Sequence, residues 1–154
     1  MQPPLRVLIV CSSGGHLAQL HCLDAWWSQH ERAWVTFDKA DARSLLEGER
    51  VWWGHHPTNR NLKNLLKNAR LALRVLAKER PHLIVSNGAG IAVPFFWLGK
   101  LLFGCTTVYV EVYDRIDSAT LTARLVTPVL DQMVIQWEDQ RTFYPDAEFL
   151  GGVL

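Results

Sequence analysis

The sequence predicts an α/β fold built on a doubly wound, Rossmann-like parallel sheet, and two stretches of the chain carry most of this prediction. The first runs from Leu5 to Leu23 and the second from Leu83 to Phe103. Each begins with a short apolar run rich in β-branched residues, which is typical of a strand buried on both faces of a parallel sheet. Each then passes through a glycine turn into a helical pattern, which is the repeating unit of such folds.

The first unit consists of the strand Leu5–Val10, the turn Cys11–His16 and a helix from about Leu17 to Trp27. Glycines let the backbone approach a ligand, and unpaired N–H groups at a helix start favour an anion. We therefore expect Ser13, Gly14 and Gly15 to bind phosphate or sugar, and His16 to act as a hydrogen-bond donor or general base. The alternative is a turn needed only for chain reversal, with His16 capping the helix. Neither the lysine-bearing phosphate loop nor a complete G-x-G-x-x-G is present, which argues against ATP and dinucleotides.

The length and composition limit the number of domains, the cellular compartment and the kinds of segment that the chain can contain. With 154 residues, 49% of them hydrophobic and 20% charged, residues 1–154 are expected to form a single globular domain. An odd number of cysteines without metal-ligand spacing predicts a reduced cytoplasmic protein in which Cys11, Cys22 and Cys105 are small buried hydrophobes. We expect no bound metal and no cofactor. We also expect no secretory signal and no membrane span, because the longest later apolar run, residues 91–103, is too short for a bilayer.

The remaining elements follow from alternation between short apolar runs and helical periods. Strands are expected at Arg32–Phe37, Val51–Trp53, Thr106–Val110 and, as the last one, Met133–Ile135, and helices at Ala42–Glu47, Ile91–Phe103 and Thr120–Val126. Another helix is expected to begin at a cap on Asn59 or Asn61 and to run to Lys78. Its predicted apolar stripe consists of Leu62, Leu65, Leu66, Ala69, Leu73 and Leu76.

This last helix is predicted to be basic on one side. No Asp or Glu occurs between Val51 and Lys78, whereas cations recur at three- or four-residue spacing. We expect Lys63, Lys67, Arg70 and Arg74 to face anionic lipid headgroups, since like charges on an ordinary solvated face repel. Plain solvent exposure and nucleic-acid phosphates are the alternatives, and we favour the membrane surface and no nucleic acid.

Two further positions are candidates for the site. Asn87 and Gly88 lie in the second glycine turn, which parallel topology places at the same sheet edge as the first. The strand Thr106–Val110 ends at Glu111, which could accept hydrogen bonds or serve as a base, and Arg115 could hold a phosphate. The alternatives are a tight turn for Asn87 and Gly88, and an ion pair between Glu111 and Arg115.

Four ordered motifs together resemble one family across nearly the whole chain. They are SSGGHL at Ser12–Leu17, SNGAGIAVP at Ser86–Pro94, YVE at Tyr109–Glu111 and IQW at Ile135–Trp137. The chain is similar to the Alg-type oligosaccharide biosynthesis family, in particular to its bacterial exopolysaccharide and capsule members of the PssD type. Where eukaryotic members tend to continue Glu-Ser after the fifth strand, this chain has Glu111 followed by Val112.

The resemblance implies half of an enzyme. These proteins are similar to the N-terminal, acceptor-side half of a GT-B glycosyltransferase, such as the enzyme that adds GlcNAc to lipid I. The resemblance implies a separate donor-side partner that binds the UDP-sugar, and a polyprenyl-diphosphate-linked sugar as acceptor. It implies a peripheral location at the cytoplasmic face of the inner membrane, although eukaryotic members carry an N-terminal membrane-spanning helix and this chain begins almost at its first strand.

The resemblance also assigns roles to residues. It places Gly14, Gly15 and His16 in the cleft near the acceptor diphosphate or the reaction centre, with Asn87, Gly88 and Glu111 in the other cleft-facing motifs. His16 and Glu111 are then both candidates for the catalytic base. A recruitment protein that performs no chemistry and a nucleotide-binding regulatory domain are the competing functions.

Overall fold

A computed structural model describes residues 3–115 and 118–152, and these form one continuous parallel sheet. The strands are β1 (Arg6–Val10), β2 (Glu31–Phe37), β3 (Val51–Gly54), β4 (Leu83–Ser86), β5 (Thr106–Val110), β6 (Gln132–Ile135) and β7 (Glu148–Phe149). Their spatial order is β3-β2-β1-β4-β5-β6-β7, and every neighbouring pair is parallel. Strand order therefore reverses between β1 and β4, as expected for a doubly wound sheet.

Helices cover both faces of this sheet. They are α1 (Gly15–His21), α2 (Asp24–Trp27), α3 (Ala40–Leu45), α4 (Leu62–Glu79), α5 (Ala92–Phe103) and α6 (Leu121–Val126). The apolar core on one face joins α4, α5 and α6 to alternate strand residues such as Leu8 and Val10, whereas the other joins α1, α2 and α3 to Val7 and Ile9. The predicted α/β class and the two glycine-turn units are thus confirmed.

The predicted first helix is interrupted. It divides into α1 and α2 at Cys22 and Leu23. At the break, the indole N–H of Trp27 donates to the His21 carbonyl at 3.3 Å, and the Trp27 ring packs edge-on against Trp34. The break also leaves Cys22 exposed, so the prediction that all three cysteines are buried holds for Cys11 and Cys105 but is wrong for Cys22.

The buried face of α4 differs from the predicted apolar stripe. Its buried residues are Asn64, Asn68, Leu71, Ala72, Val75 and Leu76. Of the predicted stripe only Leu76 belongs to that set, while Leu62 is 70% and Leu66 is 60% exposed. The reason is that Asn64 and Asn68 face inward to bind loop carbonyls, which rotates the leucines toward solvent.

Two smaller differences complete the comparison. A seventh strand, the two-residue β7, pairs with β6, so Met133–Ile135 is not in the last strand of the sheet. The basic helix is capped by Asn61, whose side chain accepts from the Asn64 N–H at 3.0 Å. Among the helices of the described ranges, none combines the length and the apolar character needed to cross a membrane.

Candidate functional site

The candidate site lies at the carboxyl edge of the sheet, where strands β1, β4 and β5 are neighbours. The turn Cys11–His16 follows β1, the turn containing Asn87 and Gly88 follows β4, and Glu111 follows β5. Because all three strands are parallel, the three segments emerge on the same edge, beside the point where strand order reverses. Ligands of open α/β sheets bind at this position.

A side chain connects the two glycine turns directly. The Asn87 amide Nδ2 donates to the backbone carbonyl of His16 at 2.8 Å. Asn87 is 1% exposed, and its other amide atom, Oδ1, is buried without a hydrogen-bond partner in the described part of the chain. The turns are therefore held in one arrangement by a residue that the solvent scarcely reaches.

Gly88 allows the imidazole of His16 to approach the second turn closely. Its φ of +127° is a conformation that favours glycine. A Cβ at this position would lie 2.8 Å from the Tyr109 hydroxyl and 3.3 Å from His16 Nε2. The position therefore requires glycine for two reasons, the backbone angle and the contact with neighbouring side chains.

His16 is half-buried and lines an open cleft. Burial lowers the pKa of its imidazole, the Asp114 carboxylate opposes this effect, and the Arg115 guanidinium reinforces it. A lowered pKa keeps the ring neutral at physiological pH, which leaves it able to accept a proton. The position and charge state together suit a general base.

Glu111 lies in a different environment. It is fully buried, its Oε1 accepts from the Val112 N–H at 2.9 Å, and its Oε2 accepts from the Tyr144 hydroxyl. Burial raises the pKa of the Glu111 carboxyl, and these hydrogen bonds oppose that effect. The carboxylate is thus occupied within the fold, and no ion pair joins Glu111 to Arg115 in the residues described.

The loop after β5 is fixed by glutamine side chains from distant elements. Gln140 Nε2 donates to the Val112 carbonyl at 3.1 Å and to the Arg115 carbonyl at 2.6 Å. Gln136 Nε2 donates to the Glu111 carbonyl at 2.9 Å, and Gln19 Oε1 accepts from the Tyr113 N–H at 3.1 Å. These bonds fix the backbone of the loop that carries Asp114 and Arg115, two residues that line the cleft with His16 and whose charges act on its imidazole. The sequence motifs indicated Gln136, through the IQW segment, but gave no indication of Gln19 or Gln140.

The first glycine turn already holds a carboxylate. The N–H of Gly14, whose φ is +80°, donates to Asp41 Oδ2 at 2.6 Å. Asp41 is exposed at the start of α3, 27 positions along the chain. One N–H that we expected to face an anionic ligand is therefore taken by a side chain, which leaves Ser13 and Gly15 to supply the remaining groups of the turn. No sequence spacing indicated this contact.

A cleft of about 970 Å³ opens at this edge of the sheet. Of the predicted site residues, His16 and Arg115 line it, together with Ser12, Lys39 and Arg60, which the sequence analysis did not select. Gly14 and Gly15 are exposed beside it, Ser13 is half-buried, and Asn87 and Gly88 are buried beneath it. The glycine turns therefore support the cleft, while its charged lining comes mainly from other loops.

The loop after β3 forms one rim of the cleft and is held by asparagines of α4. Asn68 donates to the His55 carbonyl at 2.9 Å and accepts from the His55 N–H at 2.8 Å. Asn64 donates to the Pro57 carbonyl at 2.8 Å. This anchoring brings Thr58 against Gly90 in the second turn, where a Cβ on the glycine would lie 3.0 Å from the threonine Cβ.

The predicted membrane-facing cations lie on α4 as expected from their spacing. Lys63, Lys67, Arg70 and Arg74 are all exposed. The exposed leucines of the same helix form a neighbouring strip, because at 100° per residue Leu62, Leu66 and Leu73 share a direction about a quarter of a turn from the cations. The solvent side of α4 is therefore divided into an apolar strip and a basic strip.

In the described ranges, no group of three or more metal-ligating side chains occurs.

Comparison with known proteins agrees with this architecture. A profile of the family described as "Oligosaccharide biosynthesis protein Alg14 like" matches residues 55–153. A UDP-N-acetylglucosamine transferase subunit ALG14 from Candida albicans is 35% identical over 81 residues, which are 49% of this chain and 37% of that protein. The protein of the same name from Eremothecium gossypii is 29% identical over 182 aligned residues, covering 99% of this chain and 81% of the relative.

A solved structure gives the fold relationship. MurG from Acinetobacter baumannii superposes on 87% of this chain with a TM-score of 0.71 and 16% identity. The match covers 42% of the MurG chain, so the present chain spans less than half of that protein. At this level of identity the likeness concerns the Rossmann-like fold that MurG contains.

Proposed function

The chain belongs to the Alg14-like family of oligosaccharide biosynthesis proteins, and on that premise we propose that it is the acceptor-binding subunit of a two-component UDP-sugar glycosyltransferase. The observation that carries this proposal is the open cleft, in which His16 lies beside Arg115 at the switch point of the sheet. A separate donor-side polypeptide would bind the UDP-sugar and close the cleft. Within the family, we place the chain with the bacterial members of the PssD type that build exopolysaccharide or capsule.

In this proposal, the acceptor hydroxyl attacks C1 of the sugar while the bond from C1 to the UDP oxygen breaks. His16 takes the proton from the hydroxyl, because its imidazole lines the cleft and its lowered pKa keeps it neutral. Arg115 holds negative charge of the acceptor diphosphate near the reacting groups. Asn87 and Gly88 act on His16 from beneath by fixing its backbone and leaving room for its ring.

Glu111 has a positioning role in the same scheme. Its carboxylate binds Val112 and Tyr144 inside the fold, while its carbonyl is bound by Gln136. These bonds orient the start of the loop that ends at Arg115. We therefore assign the proton transfer to His16 and assign to Glu111 the geometry of the loop.

The membrane surface is the proposed location of the complex, at the cytoplasmic face of the inner membrane. Leu66 and Leu73 of α4, which do not line the cleft, would enter the headgroup region, while Lys63, Lys67, Arg70 and Arg74 contact anionic lipid. An amphipathic helix that presents both strips on its solvent side supports peripheral attachment. It also orients the cleft, since the first residues of α4 lie at the cleft rim.

A transfer assay tests the proposal. The chain would be purified alone and together with a candidate UDP-sugar-binding GT-B half, and sugar transfer to a polyprenyl-diphosphate-linked acceptor would be measured. We expect transfer only from the complex, and we expect H16A in the complex to abolish it without dissociating the subunits. Full activity from the lone chain would overturn the two-component proposal. Unchanged turnover by H16A would instead favour a recruitment protein without chemistry.

A further inference from the structure

One side of the cleft is lined by cationic side chains and the other by apolar ones. On the side of the strand ends it is lined by Lys39 after β2, Arg60 after β3 and Arg115 after β5. Among the described lining residues, Asp114 is the one acid. This side therefore carries an excess of positive charge and suits a ligand group with more than one negative charge.

Arg60 has a defined place in this cationic region. Its backbone is in the left-handed conformation, with a φ of 48°, directly before the Asn61 cap of α4. Few non-glycine residues adopt this conformation, which costs energy and persists where the surroundings impose it. The turn places an exposed guanidinium at the mouth of the cleft, where α4 begins.

The other side of the cleft is an apolar groove in the helix layer. Helix α5 packs between α4 and α6, and Val93 in its first turn lines the floor. Leu62 and Leu65 of α4 form one wall, and Leu121 and Leu125 of α6 form the other. The indole N–H of Trp97 donates to the Leu125 carbonyl at 2.9 Å, which fixes the α6 wall to α5.

These leucines are exposed although they face one another across the groove. Leu62 is 70%, Leu121 is 71% and Leu125 is 46% exposed. Single exposed leucines are common on protein surfaces, but several that converge on a cleft indicate a binding surface. Because the groove is continuous with the cationic region, its occupant should carry an anionic group at one end and an apolar chain at the other.

We propose that this groove holds the prenyl chain of a prenyl-diphosphate ligand, whose diphosphate lies in the cationic region formed by Lys39, Arg60 and Arg115. The identity of the ligand class rests on the proposed function, whereas the path of the chain rests on the cleft alone. The diphosphate would then be contacted by side chains of the loops after β2, β3 and β5, since the Gly14 N–H already binds Asp41. The prenyl chain leaves the cleft between α4 and α6, on the same side of the sheet as the exposed leucines of α4.

Direct binding to the lone chain tests this inference with two probes, farnesyl diphosphate and inorganic pyrophosphate, by titration calorimetry. We expect farnesyl diphosphate to bind about tenfold more tightly than pyrophosphate, because only it places apolar surface in the groove. R60Q should lower the affinity for both probes by about tenfold, because a charge-assisted hydrogen bond to the diphosphate is lost. The double variant L121N/L125N should reduce the affinity for farnesyl diphosphate to that for pyrophosphate.

Matched variants control for surface changes elsewhere. Leu101 and Leu102 are 67% and 63% exposed at the far end of α5, so L101N/L102N makes the same substitutions outside the groove. R124Q removes one exposed arginine of α6 that does not line the cleft. Both controls should bind both probes as the unmodified chain does, and L62N should repeat the effect of L121N/L125N from the opposite wall.

The outcomes separate this inference from the proposed function. Equal affinity for the two probes, or wild-type binding by both L121N/L125N and L62N, would contradict the assignment of the groove to the prenyl chain even if the complex transfers sugar. In another outcome, the chain binds farnesyl diphosphate through the groove while its complex transfers no sugar. This result would contradict the proposed function but support the assignment of the groove to the prenyl chain. Circular dichroism melts of each variant establish that the loss of binding is not loss of folding.

Discussion

The side chain of Asn87 holds the backbone of His16, through a hydrogen bond of 2.8 Å that spans 71 positions of sequence. The two residues belong to different glycine turns, and each turn follows its own strand. The bond makes the turns one structural unit at the edge of the sheet. A change at Asn87 should therefore act on His16 without any contact between Asn87 and a ligand.

We expect N87A to lower the free energy of unfolding by about 1–3 kcal/mol, because the His16 carbonyl loses its donor in a partly buried contact. If the proposed function holds, sugar transfer should also fall, since the His16 backbone is no longer fixed. Urea unfolding and the transfer assay measure the two effects. N59A is the control for the stability measurement alone, because Asn59 is exposed and no hydrogen bond is described for its side chain, but it lines the cleft. Comparable loss of stability in both variants would contradict the assigned role of Asn87.

We expect G88A to destabilise the fold by about 1–3 kcal/mol, because a Cβ meets the Tyr109 hydroxyl in a backbone conformation that favours glycine. G48A is the matched control. Gly48 has a φ of +81° and no atom within 4 Å of the place where a Cβ would lie. G48A should therefore lower the free energy of unfolding only by the cost of the backbone conformation, about 1 kcal/mol. The Tyr109 hydroxyl is also hydrogen-bonded to Thr120 Oγ1 at 3.1 Å, so the cost of the glycine substitution is compared within a Y109F background. In urea unfolding, G88A should cost less in that background than in the unmodified chain, and equal costs would show that the hydroxyl contact is unimportant.

His16 should titrate below the ordinary histidine value of 6.5. Because burial is the main cause, the neighbouring charges should modulate the pKa in opposite directions. D114N removes a stabilising negative charge and should lower the His16 pKa further, whereas R115Q removes a positive charge and should raise it. Imidazole resonances followed by NMR from about pH 4 to 8 measure all three values. A rise in D114N would contradict the proposed arrangement.

Glu111 should make the fold less stable as the pH rises above the ordinary value of its carboxyl group, 4.5. The raised pKa means that the folded state keeps the proton to a higher pH than the unfolded state does. The unfolded state therefore binds fewer protons in this window, and the free energy of unfolding falls with increasing pH. Urea unfolding at several pH values between about 4.5 and 7 should show this slope, reduced in E111Q. Equal slopes would mean that the Glu111 pKa is not raised.

The apolar strip of α4 should contribute to membrane binding. L66N/L73N removes two exposed leucines that do not line the cleft, and each leucine buried in lipid contributes about 1.5–3 kcal/mol. We expect weaker flotation with vesicles of phosphatidylethanolamine and phosphatidylglycerol, and unchanged thermal stability. Wild-type binding should also fall with added salt, because the basic strip is screened. L101N/L102N is the control, and equal binding by L66N/L73N and this control would remove the strip from the membrane contact.

Local sequence patterns predicted most of the sheet, because buried parallel strands and glycine turns have distinct signatures. The strand carrying Leu8 and the turn containing Asn87 lie where the apolar runs and glycines indicate. The same logic placed the ends of β1, β4 and β5 on one edge, which the topology confirms. The topology follows from local pattern because parallel connections have one hand and short lengths.

Helical periodicity could not identify the buried face of α4, since the more apolar face is not the one that packs. Asn64 and Asn68 are buried because their amides satisfy the carbonyls of Pro57 and His55, and this pairing depends on a loop conformation that no periodicity encodes. The Asp41 contact with Gly14 was missed for the same reason. Polar contacts between distant residues are decided by tertiary geometry, and the sequence contains no local trace of them.

The glutamine bonds to the loop after β5 also determine when the site is completed during synthesis. The side chain of Gln140 donates to the Arg115 carbonyl and follows it by 25 positions in the sequence. During synthesis, this carbonyl therefore lacks its donor until the segment after β6 has been made. A contact of this kind forms only after the segment that supplies it has been synthesised. A chain that ends shortly before residue 136 would contain every described residue that lines the cleft and would still lack the two glutamines that fix the loop after β5.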